Sequence, residues 1–315
     1  MTTEAVRPLR ETPAGATLLE VVIVAAVTGG RELLRDCLSS LERHPLGAGP
    51  TRVWVVDNST RDGVTEMLDA RFPWVRVLKM DRTASFSKAN NAVLRNVAAP
   101  YALLLNPDTE ILPGALDRAL EDLRRRPERA VVGVRLVRRD GTFDHAAKRS
   151  FPTLIGALGH FSGLGRRTNA GDTLAQYRAP ELDDRGEGEV DAVNGAFMLV
   201  RVSAMKEVGL LDEGYILYGE DLDWCFRFKA AGWTVWYDGG ATVVHVKGAT
   251  TVQERGRRRY RGLRLNFAFH HAMARYYRKF LAGRNRPLDA LVYAGISVKF
   301  VVSAMRSAIA RRRLR

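Results

Sequence analysis

The chain has 315 residues, of which 46% are apolar, so it is long enough for one large globular domain with a sizeable core and an appendage. Its two cysteines, Cys37 and Cys225, lie in apolar helical segments; they exclude a disulfide framework and a zinc cluster and fit a reducing compartment. The net charge of +14 is uneven, because residues 255–315 hold 17 lysines and arginines and one acid, which leaves residues 1–254 with a net charge of −2.

Composition divides the chain into three segments. Residues 1–17 carry charges without the apolar core of a signal peptide, and we expect them to form a disordered leader. Residues 18–254 are nearly neutral and form the predicted globular domain. Residues 255–315 form a predicted basic helical tail, whose charge indicates an anionic partner, either a membrane surface or nucleic acid.

Apolar strands alternate with amphipathic helices through the first half of the domain. A strand predicted over 17–28 precedes a helix over 31–43, and further strands are predicted at 52–57, 75–80 and 101–106. This alternation is typical of a parallel sheet with right-handed crossovers, so we expect an α/β fold. Ligands of such sheets bind beyond the carboxyl ends of the strands.

The second predicted strand ends in Asp57-Asn58-Ser59-Thr60. An aspartate in this position can accept hydrogen bonds from ribose hydroxyls or from the imide of a base, so this segment is a candidate nucleotide-binding site. The same residue types form ordinary turns, which is the alternative interpretation. No glycine-rich dinucleotide fingerprint follows the first strand, which argues against a nicotinamide enzyme.

The run Phe86–Asn91 opens a predicted helix. Backbone amides at a helix N-terminus, with Lys88 nearby, can receive a phosphate group. Asn90 either belongs to such a site or caps the helix.

Two further segments offer metal ligands. The run Asn106-Pro107-Asp108 follows a strongly apolar strand, and a carboxylate there can hold the divalent cation that neutralises a departing diphosphate, although these residues also suit a type I turn. His245 ends a strand predicted over 241–245. It is either a second ligand, better suited to Mn²⁺ than to Mg²⁺, or a structural histidine.

Three acids, Glu220, Asp221 and Asp223, lie at the start of a helix predicted over 221–232. The positive end of the helix dipole favours ionised oxygens, and a carboxylate held beside aromatic residues suits a general base. Alternatively, one of the two aspartates only caps the helix.

These motifs resemble, in order, those of family 2 glycosyltransferases. The similarity rests on the D-N-x-S-x-D-G-like turn at 57–63, the D-x-D position at 106–108, the G-A-x-M-L strand at 195–199, the G-x-L-D-E turn at 209–213 and the E-D-x-D acids at 220–223. It covers about residues 18–250 and is greatest for the rhamnosyltransferase-like members. It implies a nucleotide-sugar-binding GT-A fold with a mostly parallel sheet and a divalent metal cofactor, Mn²⁺ or Mg²⁺.

The resemblance also implies a role for each candidate residue. Asp221 is the expected catalytic base, and Asp108 and His245 are the expected metal ligands. Three residues, Glu220, Asp223 and Trp224, are expected to orient the base or bind the acceptor. The expected donor-binding residues are Thr28, Asp57, Asn58, Lys88, Asn90 and Asn106.

After residue 251 the chain becomes rich in arginine and aromatic residues, and Leu288–Met305 forms a mostly apolar predicted helix. Its length is close to that of a membrane span, but its small and polar residues favour a helix that lies in the interface. We therefore expect an anionic membrane surface, and no nucleic acid, as the partner of the tail. The irregular segment 150–190 is expected to be a lid or a disordered flap.

The expected activity is the inverting transfer of rhamnose from dTDP-rhamnose to a polyprenyl-diphosphate saccharide, in cell-envelope polysaccharide synthesis at the cytoplasmic face of the plasma membrane. One alternative is another hexosyl- or galactofuranosyltransferase of the same family. A second is a non-catalytic basic module that binds membranes or nucleic acid. A processive synthase is disfavoured, because the Q-x-x-R-W motif and several membrane spans are missing from this sequence.

Overall fold

A nine-stranded mixed β-sheet forms the centre of the protein, in a computed structural model that describes residues 16–26, 30–60, 62–152, 182–246, 258–283 and 285–312. The strands are β1 Leu19–Ala25, β2 Thr51–Asp57, β3 Arg76–Lys79, β4 Tyr101–Leu105, β5 Thr109–Ile111, β6 Arg129–Val137, β7 Lys148–Arg149, β8 Glu187–Glu189, β9 Ala192–Val193, β10 Phe197–Arg201 and β11 Thr234–His245. The helices are α1 Arg31–Arg43, α2 Val64–Arg71, α3 Phe86–Leu94, α4 Ala115–Arg125, α5 Val202–Val208, α6 Glu220–Ala230, α7 Arg258–Phe280 and α8 Arg286–Arg312.

The strands of the sheet lie in the order β3-β2-β1-β4-β10-β6-β11-β5, and β8 pairs with β11. Strand β1 pairs in parallel with β2 and β4, and β11 pairs in parallel with β6, whereas β10 is antiparallel to both of its neighbours. The remaining two strands, β7 and β9, form a separate antiparallel ribbon. The predicted α/β class with a mostly parallel sheet is confirmed.

The central strands are apolar because both of their faces are covered. Every residue of β1 is buried, and α3 packs against β1 and β2 while α4 packs against β6 and β11. Continuous Val, Ile and Leu runs are typical of parallel strands covered on both faces. Each fully buried Val or Leu side chain contributes about 1.5–3 kcal/mol of transfer free energy, so the sheet is a rigid support for the loops at its edges.

Strand β11 is one continuous strand, Thr234–His245, which extends the strand predicted over 241–245 toward its amino end. A β-bulge between Asp238 and Thr242 accommodates the pair Gly239-Gly240. Gly239 lies so close to the chain opposite that a Cβ would be 2.5 Å from the carbonyl oxygen of Gly186. The glycine therefore permits a close backbone approach and does not end the strand.

The basic tail begins with a helix that packs on the domain. Phe280 of α7 stacks on Phe226 of α6 at 4.2 Å between ring centroids, and Tyr276 is buried in the main core. Helix α8 then packs back onto α7 through a small cluster that includes Val292 and Ile296. The expected boundary at 254/255 lies outside the described residues. The same is true of most of the expected leader at 1–17 and of most of the segment 150–190.

Among the described residues, one helix is long and apolar enough to cross a membrane by length and composition. It covers Arg286–Met305, with a mean hydropathy of 1.6 and only 11% of the segment buried in the protein.

Candidate active site

The carboxyl ends of β1, β2, β4, β6 and β11 and the amino end of β10 lie at one edge of the sheet, which we call the site edge. Strand β2 ends there at Asp57, β4 is followed there by Asn106, and β11 ends there at His245. The predicted nucleotide-binding and metal-binding segments therefore share one edge, as parallel strands require.

Asp108 and His245 lie side by side at the site edge. His245 Nε2 is 3.5 Å from Asp108 Oδ1, and the two residues are only 7% and 4% exposed. The backbone holds them together, because the Val246 amide donates to the Asp108 carbonyl and Thr109 opposes His245 in the β5–β11 pair. The two expected metal ligands are thus within reach of each other.

Asp144 lies against the other nitrogen of the His245 ring. Its Oδ2 is 3.4 Å from Nδ1. Burial opposes a positive charge on the imidazole, but the carboxylates of Asp108 and Asp144 outweigh it and raise the pKa of His245 to about 9. A carboxylate that orients a histidine through one ring nitrogen, while the other nitrogen faces a ligand site, is a frequent arrangement at metal centres.

The donor set at this position fits a divalent cation. A carboxylate oxygen and a neutral imidazole nitrogen are ligands that Mn²⁺ accepts, so an ion bound here would displace the proton that the raised pKa favours on the His245 ring. The separation of 3.5 Å between Asp108 Oδ1 and His245 Nε2 is short enough for both atoms to bind one ion.

Asp221 lies in the first turn of α6, directly after Gly219 (φ 85°) and Glu220. Its Oδ2 accepts hydrogen bonds from Arg149 Nη2 at 2.6 Å and from the Gly195 amide at 3.1 Å. Its Oδ1 accepts from the Leu222 amide at 2.8 Å. The side chain is 14% exposed, so the carboxylate is held in place and still open to a small reactant.

Glu220 is buried beside Asp221. Burial, and after it the negative charge of Asp221, raises the pKa of Glu220 to about 8. The raised pKa shifts Glu220 toward its neutral form. Tyr218, two residues earlier, has φ 69°, an uncommon conformation for a residue with a side chain, and it is 43% exposed.

Segment 194–196 connects Asp221 to the loop that carries Asp108, the expected metal ligand. The Gly195 amide donates to Asp221 Oδ2, and the carbonyl of Ala196 accepts a hydrogen bond of 3.0 Å from the Asn106 amide. Adjacent residues of one short segment therefore contact the acidic helix on one side and the Asn106–Asp108 turn on the other. The two acidic positions share one region of the site edge.

The segment Asp57–Thr60 forms the turn that its sequence allows. Asp57 Oδ1 accepts from the amide and the hydroxyl of Thr60, at 2.9 and 2.7 Å, and its Oδ2 accepts from Thr65 Oγ1. Asn58 pairs both atoms of its amide with the backbone of Ala84, at 2.8 and 3.0 Å. Asn58 thereby joins two loops of the site edge. Donor binding by Asp57 and Asn58 stays a prediction.

Ser85, and not Asn90, caps helix α3. Its hydroxyl accepts from the Lys88 amide, whereas the Asn90 side chain is buried and donates to the carbonyl of Phe86 at 2.9 Å. The Lys88 side chain is exposed at this helix N-terminus. Thr28 lies outside the described residues.

Asp223 and Trp224 lie on the buried side of helix α6, and acceptor binding or orientation of the base by them stays a prediction. Both side chains are fully buried, and the Trp224 indole donates to the carbonyl of Gly209 at 2.8 Å. Residues two apart on a helix point in nearly opposite directions, so Asp223 cannot share the orientation of Asp221. The donors to its carboxylate are Tyr215 Oη at 3.2 Å, Arg227 Nε at 2.7 Å and Lys279 Nζ at 2.6 Å.

Sequence reasoning did not select Asp144 or Arg149. Both follow the turn at Asp140-Gly141, and the local pattern shows no periodicity there. Arg149 reaches Asp221 only because β7 pairs with β9 in the antiparallel ribbon, so that Arg149 lies opposite Ala192. A contact that depends on a pairing over more than 40 residues leaves no local signal in the sequence.

A second acidic cluster lies away from the site edge. Carboxylate oxygens of Asp122, Glu187 and Asp238 lie within 4.8 Å of one another. Arg118 already supplies a positive charge there, since its guanidinium donates to Asp238 at 2.7 Å and to Glu187 at 3.1 Å. Asp238 precedes His245 by seven residues in β11, a separation of about 20 Å along a strand. This cluster is therefore distinct from the candidate active site.

We expect the Asp122→Asn variant to be more stable than the wild type above pH 6, by about 1–2 kcal/mol. Burial, and then Asp238, raise the pKa of Asp122 to about 6, so between pH 4 and 6 the folded state binds more protons than the unfolded state and stability falls as pH rises. An asparagine amide can donate to Asp238 at any pH. Urea unfolding at pH 4.5 and 7.5 measures the difference; the exposed neighbour substitution Glu121→Gln is the control, and an equal response of both variants would contradict the prediction.

Comparison with known sequences identifies the family to which the whole domain belongs. The family profile described as "Glycosyltransferase like family 2" matches residues 19–264, which include every site-edge residue discussed above. The chain belongs to glycosyltransferase family 2. The expectation from the sequence motifs is thereby confirmed.

Relatives of this family 2 glycosyltransferase include rhamnosyltransferases. An N-acetylglucosaminyl-diphospho-decaprenol L-rhamnosyltransferase of Mycobacterium tuberculosis is 29% identical over 213 residues, which cover 64% of this chain and 68% of the relative. The rhamnosyltransferase WbbL of Escherichia coli is 41% identical over 72 residues, covering 23% of this chain and 27% of the relative.

Solved structures share its GT-A fold. A mannosyltransferase from Pyrobaculum calidifontis, in complex with GDP-Man and Mn²⁺, superposes with a TM-score of 0.58 at 13% identity, covering 98% of this chain and 77% of the other. The TarS fragment 1–349 of S. aureus gives a TM-score of 0.53 at 11% identity, with coverages of 89% and 70%.

Proposed function

We propose that this glycosyltransferase is an inverting, metal-dependent enzyme that transfers rhamnose from dTDP-rhamnose to a polyprenyl-diphosphate saccharide in cell-envelope synthesis. The observation that carries the proposal is the shared segment 194–196, which contacts Asp221 on one side and the Asn106–Asp108 turn on the other. The relative from M. tuberculosis, whose name specifies a lipid-linked acceptor and a rhamnosyl group, supports the choice of substrates.

In the proposed reaction Asp221 acts as the general base. An acceptor hydroxyl attacks the anomeric carbon of the sugar and gives its proton to Asp221 Oδ1 as the new carbon–oxygen bond forms. The bond from the anomeric carbon to the diphosphate breaks on the opposite face, and its electron pair stays on the phosphate oxygen. Attack opposite to the departing group inverts the configuration of the anomeric carbon.

Asp108 and His245 are the residues that would hold the divalent cation. When bound, the cation supplies positive charge that stabilises the nucleoside diphosphate as a leaving group. Asp144 would keep the His245 ring oriented, with Nε2 toward Asp108. Asp57 and Lys88, at the same edge, would contact the nucleoside and a phosphate of the donor.

The proposed membrane contact is the outer face of helix α8, and its partner is an anionic bilayer. Five side chains of this face are between 41% and 62% exposed: Leu291, Val298, Val301, Val302 and Met305. Asp289, one of the two charged residues between 287 and 305, turns inward, where it accepts from Tyr277 Oη at 2.6 Å and from the Gly283 amide at 2.9 Å. An apolar outer face beside an arginine-rich helix suits a helix lying in the headgroup region, at the cytoplasmic surface.

We expect Val298→Asp to bind vesicles with 30% anionic lipid about tenfold more weakly than the wild type. Burial of one valine is worth about 1.5 kcal/mol, which corresponds to a factor of roughly ten in affinity. Trp74→Asp, which adds the same charge at an exposed apolar position far along the chain, is the control. Equal weakening by both substitutions, or none by either, would show that this face does not meet the bilayer.

The test of the proposed function is a transfer assay with purified protein and Mn²⁺. We expect sugar transfer from dTDP-rhamnose to a polyprenyl-diphosphate N-acetylglucosamine acceptor, with an inverted anomeric configuration in the product by NMR. A panel of other hexosyl and galactofuranosyl donors is measured in parallel. Faster transfer from another donor would replace the proposed sugar, and no transfer from any donor would overturn the enzymatic proposal in favour of a binding module.

A further inference from the structure

Arg149 is a buried arginine that binds the carboxylate proposed as the base. The residue is 9% exposed, and its Nη2 donates to Asp221 Oδ2 at 2.6 Å and to the carbonyl of Val193 at 2.7 Å. The second contact and the β7–β9 pairing fix the position of the guanidinium independently of Asp221. The guanidinium is therefore a rigid donor to which the carboxylate is attached.

The two oxygens of Asp221 have different surroundings. Oδ2 accepts from Arg149 and from the Gly195 amide, at 2.6 and 3.1 Å, and so is held by donors from two separate segments. Oδ1 accepts from the amide of the next residue, Leu222, at 2.8 Å. A carboxylate oxygen can accept two hydrogen bonds, so Oδ1 has capacity for a hydroxyl.

The carboxyl group of Asp221 has a second acid, Glu220, directly beside it. Glu220 is buried next to Asp221 and has its pKa raised to about 8, first by burial and then by the charge of Asp221. Two adjacent acids in a region of low solvent access repel each other when both are ionised. The guanidinium of Arg149 lies 2.6 Å from Asp221 and so places a positive charge beside this pair of acids.

We propose that Arg149 is a positioning residue for the transfer reaction: it fixes Oδ2 of Asp221 so that Oδ1 faces the acceptor hydroxyl. This inference rests on the proposed function, because it assigns Arg149 a role through the proposed base. The advantage is geometric, since a proton acceptor contributes only when it is held within hydrogen-bond reach of the reacting hydroxyl. Arg149 itself contacts neither the proton nor the donor sugar in this proposal.

The test compares Arg149→Ala, Arg149→Lys and a control, Arg52→Ala. Arg52 is a partly buried arginine paired with the buried Glu20 at the amino ends of β1 and β2, which is the opposite edge of the sheet. We expect Arg149→Ala to lower kcat by about 100-fold with the KM for the donor changed less than about threefold, because orientation of the base and not donor binding is lost. The Lys variant should retain part of the rate, since it keeps the charge but not the planar fork.

Chemical rescue separates positioning from general support of the fold. Guanidinium chloride at about 50 mM should restore at least tenfold of the lost kcat in Arg149→Ala, whereas NaCl of equal ionic strength should not, and Arg52→Ala should respond to neither salt. A kcat in Arg149→Ala equal to that of the wild type, or an effect on KM alone, would overturn the positioning role. The proposed function would stand in that case, provided that the wild-type enzyme transfers sugar. Loss of kcat without rescue, together with a lowered Tm, would assign Arg149 to the fold only. No transfer by the wild type would overturn both proposals.

Discussion

Replacement of Asp221 by asparagine should lower kcat by about 10²–10⁴-fold, the usual contribution of a general base. Asparagine preserves the shape of the side chain and can still accept from Arg149 and Gly195, but its amide cannot take a proton from the acceptor hydroxyl. The rate is measured under saturating donor and acceptor, so that a change in binding does not enter. We expect the KM for the donor to change little, because Asp221 contacts the acceptor and not the nucleotide in the proposed reaction.

The control for this substitution is Asp140→Asn. Asp140 accepts from Thr142 in an exposed turn, so the same chemical change there should leave kcat unaltered. A wild-type kcat in Asp221→Asn would remove Asp221 as the base and would point to another acid of the same helix turn, with Glu220 the nearest.

The second large effect concerns stability. We expect Asp223→Ala to lower the free energy of unfolding by about 3 kcal/mol, because removal of one member of a buried ionic cluster leaves its partners without compensation. The Asp223 carboxylate is fully buried and accepts from Arg227, Lys279 and Tyr215, and Lys279 belongs to helix α7. The substitution therefore weakens both the acidic helix and the attachment of the basic tail.

Urea unfolding followed by circular dichroism measures this loss. The matched control is Glu213→Ala, which removes a more exposed carboxylate paired with Arg95 and should cost less than about 1 kcal/mol. If Asp223→Ala were no more destabilising than the control, the cluster would not join α7 to the domain. In that case the tail would be a separate unit, as the sequence alone suggested.

The position of the strand ends was predictable from the sequence for a physical reason. Apolar runs such as 101–106 end in polar residues, and parallel strands bring those ends to one edge, so the pattern of apolar runs alone assigns Asp57, Asp108 and His245 to one region. In the structure the Nε2 atom of His245 lies 3.5 Å from Oδ1 of Asp108, so these two strand-end residues are direct neighbours.

The orientation of the acids on α6 was also predictable from the sequence, although the three acids were predicted to act together. Successive helical residues differ by about 100° in direction, so Asp221 and Asp223 lie about 200° apart and cannot both face one site. Trp224 likewise falls on the buried side. Helical geometry applied to the E-D-x-D motif separates the partly exposed Asp221, the proposed base, from the buried Asp223.

Contacts between distant segments could not be predicted in this way. Arg149 meets Asp221 through the β7–β9 pairing, and Asp144 meets His245 through the turn at Asp140-Gly141. Neither residue lies at the end of an apolar strand, where a polar side chain indicates a ligand site. The packing of α7 against Phe226 is a further example, because its aromatic residues also suit a membrane or nucleic-acid surface.

The central claim is that a metal-dependent diphosphate site at Asp108 and a proton-accepting site at Asp221 are separate parts of one active site. The most direct measurement is the rise in Tm caused by a nucleoside diphosphate with Mn²⁺, compared among the wild type, Asp108→Asn and Asp221→Asn. We expect equal rises in Tm for the wild type and Asp221→Asn, equivalent to about 2.7 kcal/mol of added stability at a ligand concentration 100 times the Kd, although Asp221→Asn transfers sugar far more slowly. Asp108→Asn should show almost no rise. Full stabilisation of Asp108→Asn by the nucleotide and Mn²⁺ would contradict this account.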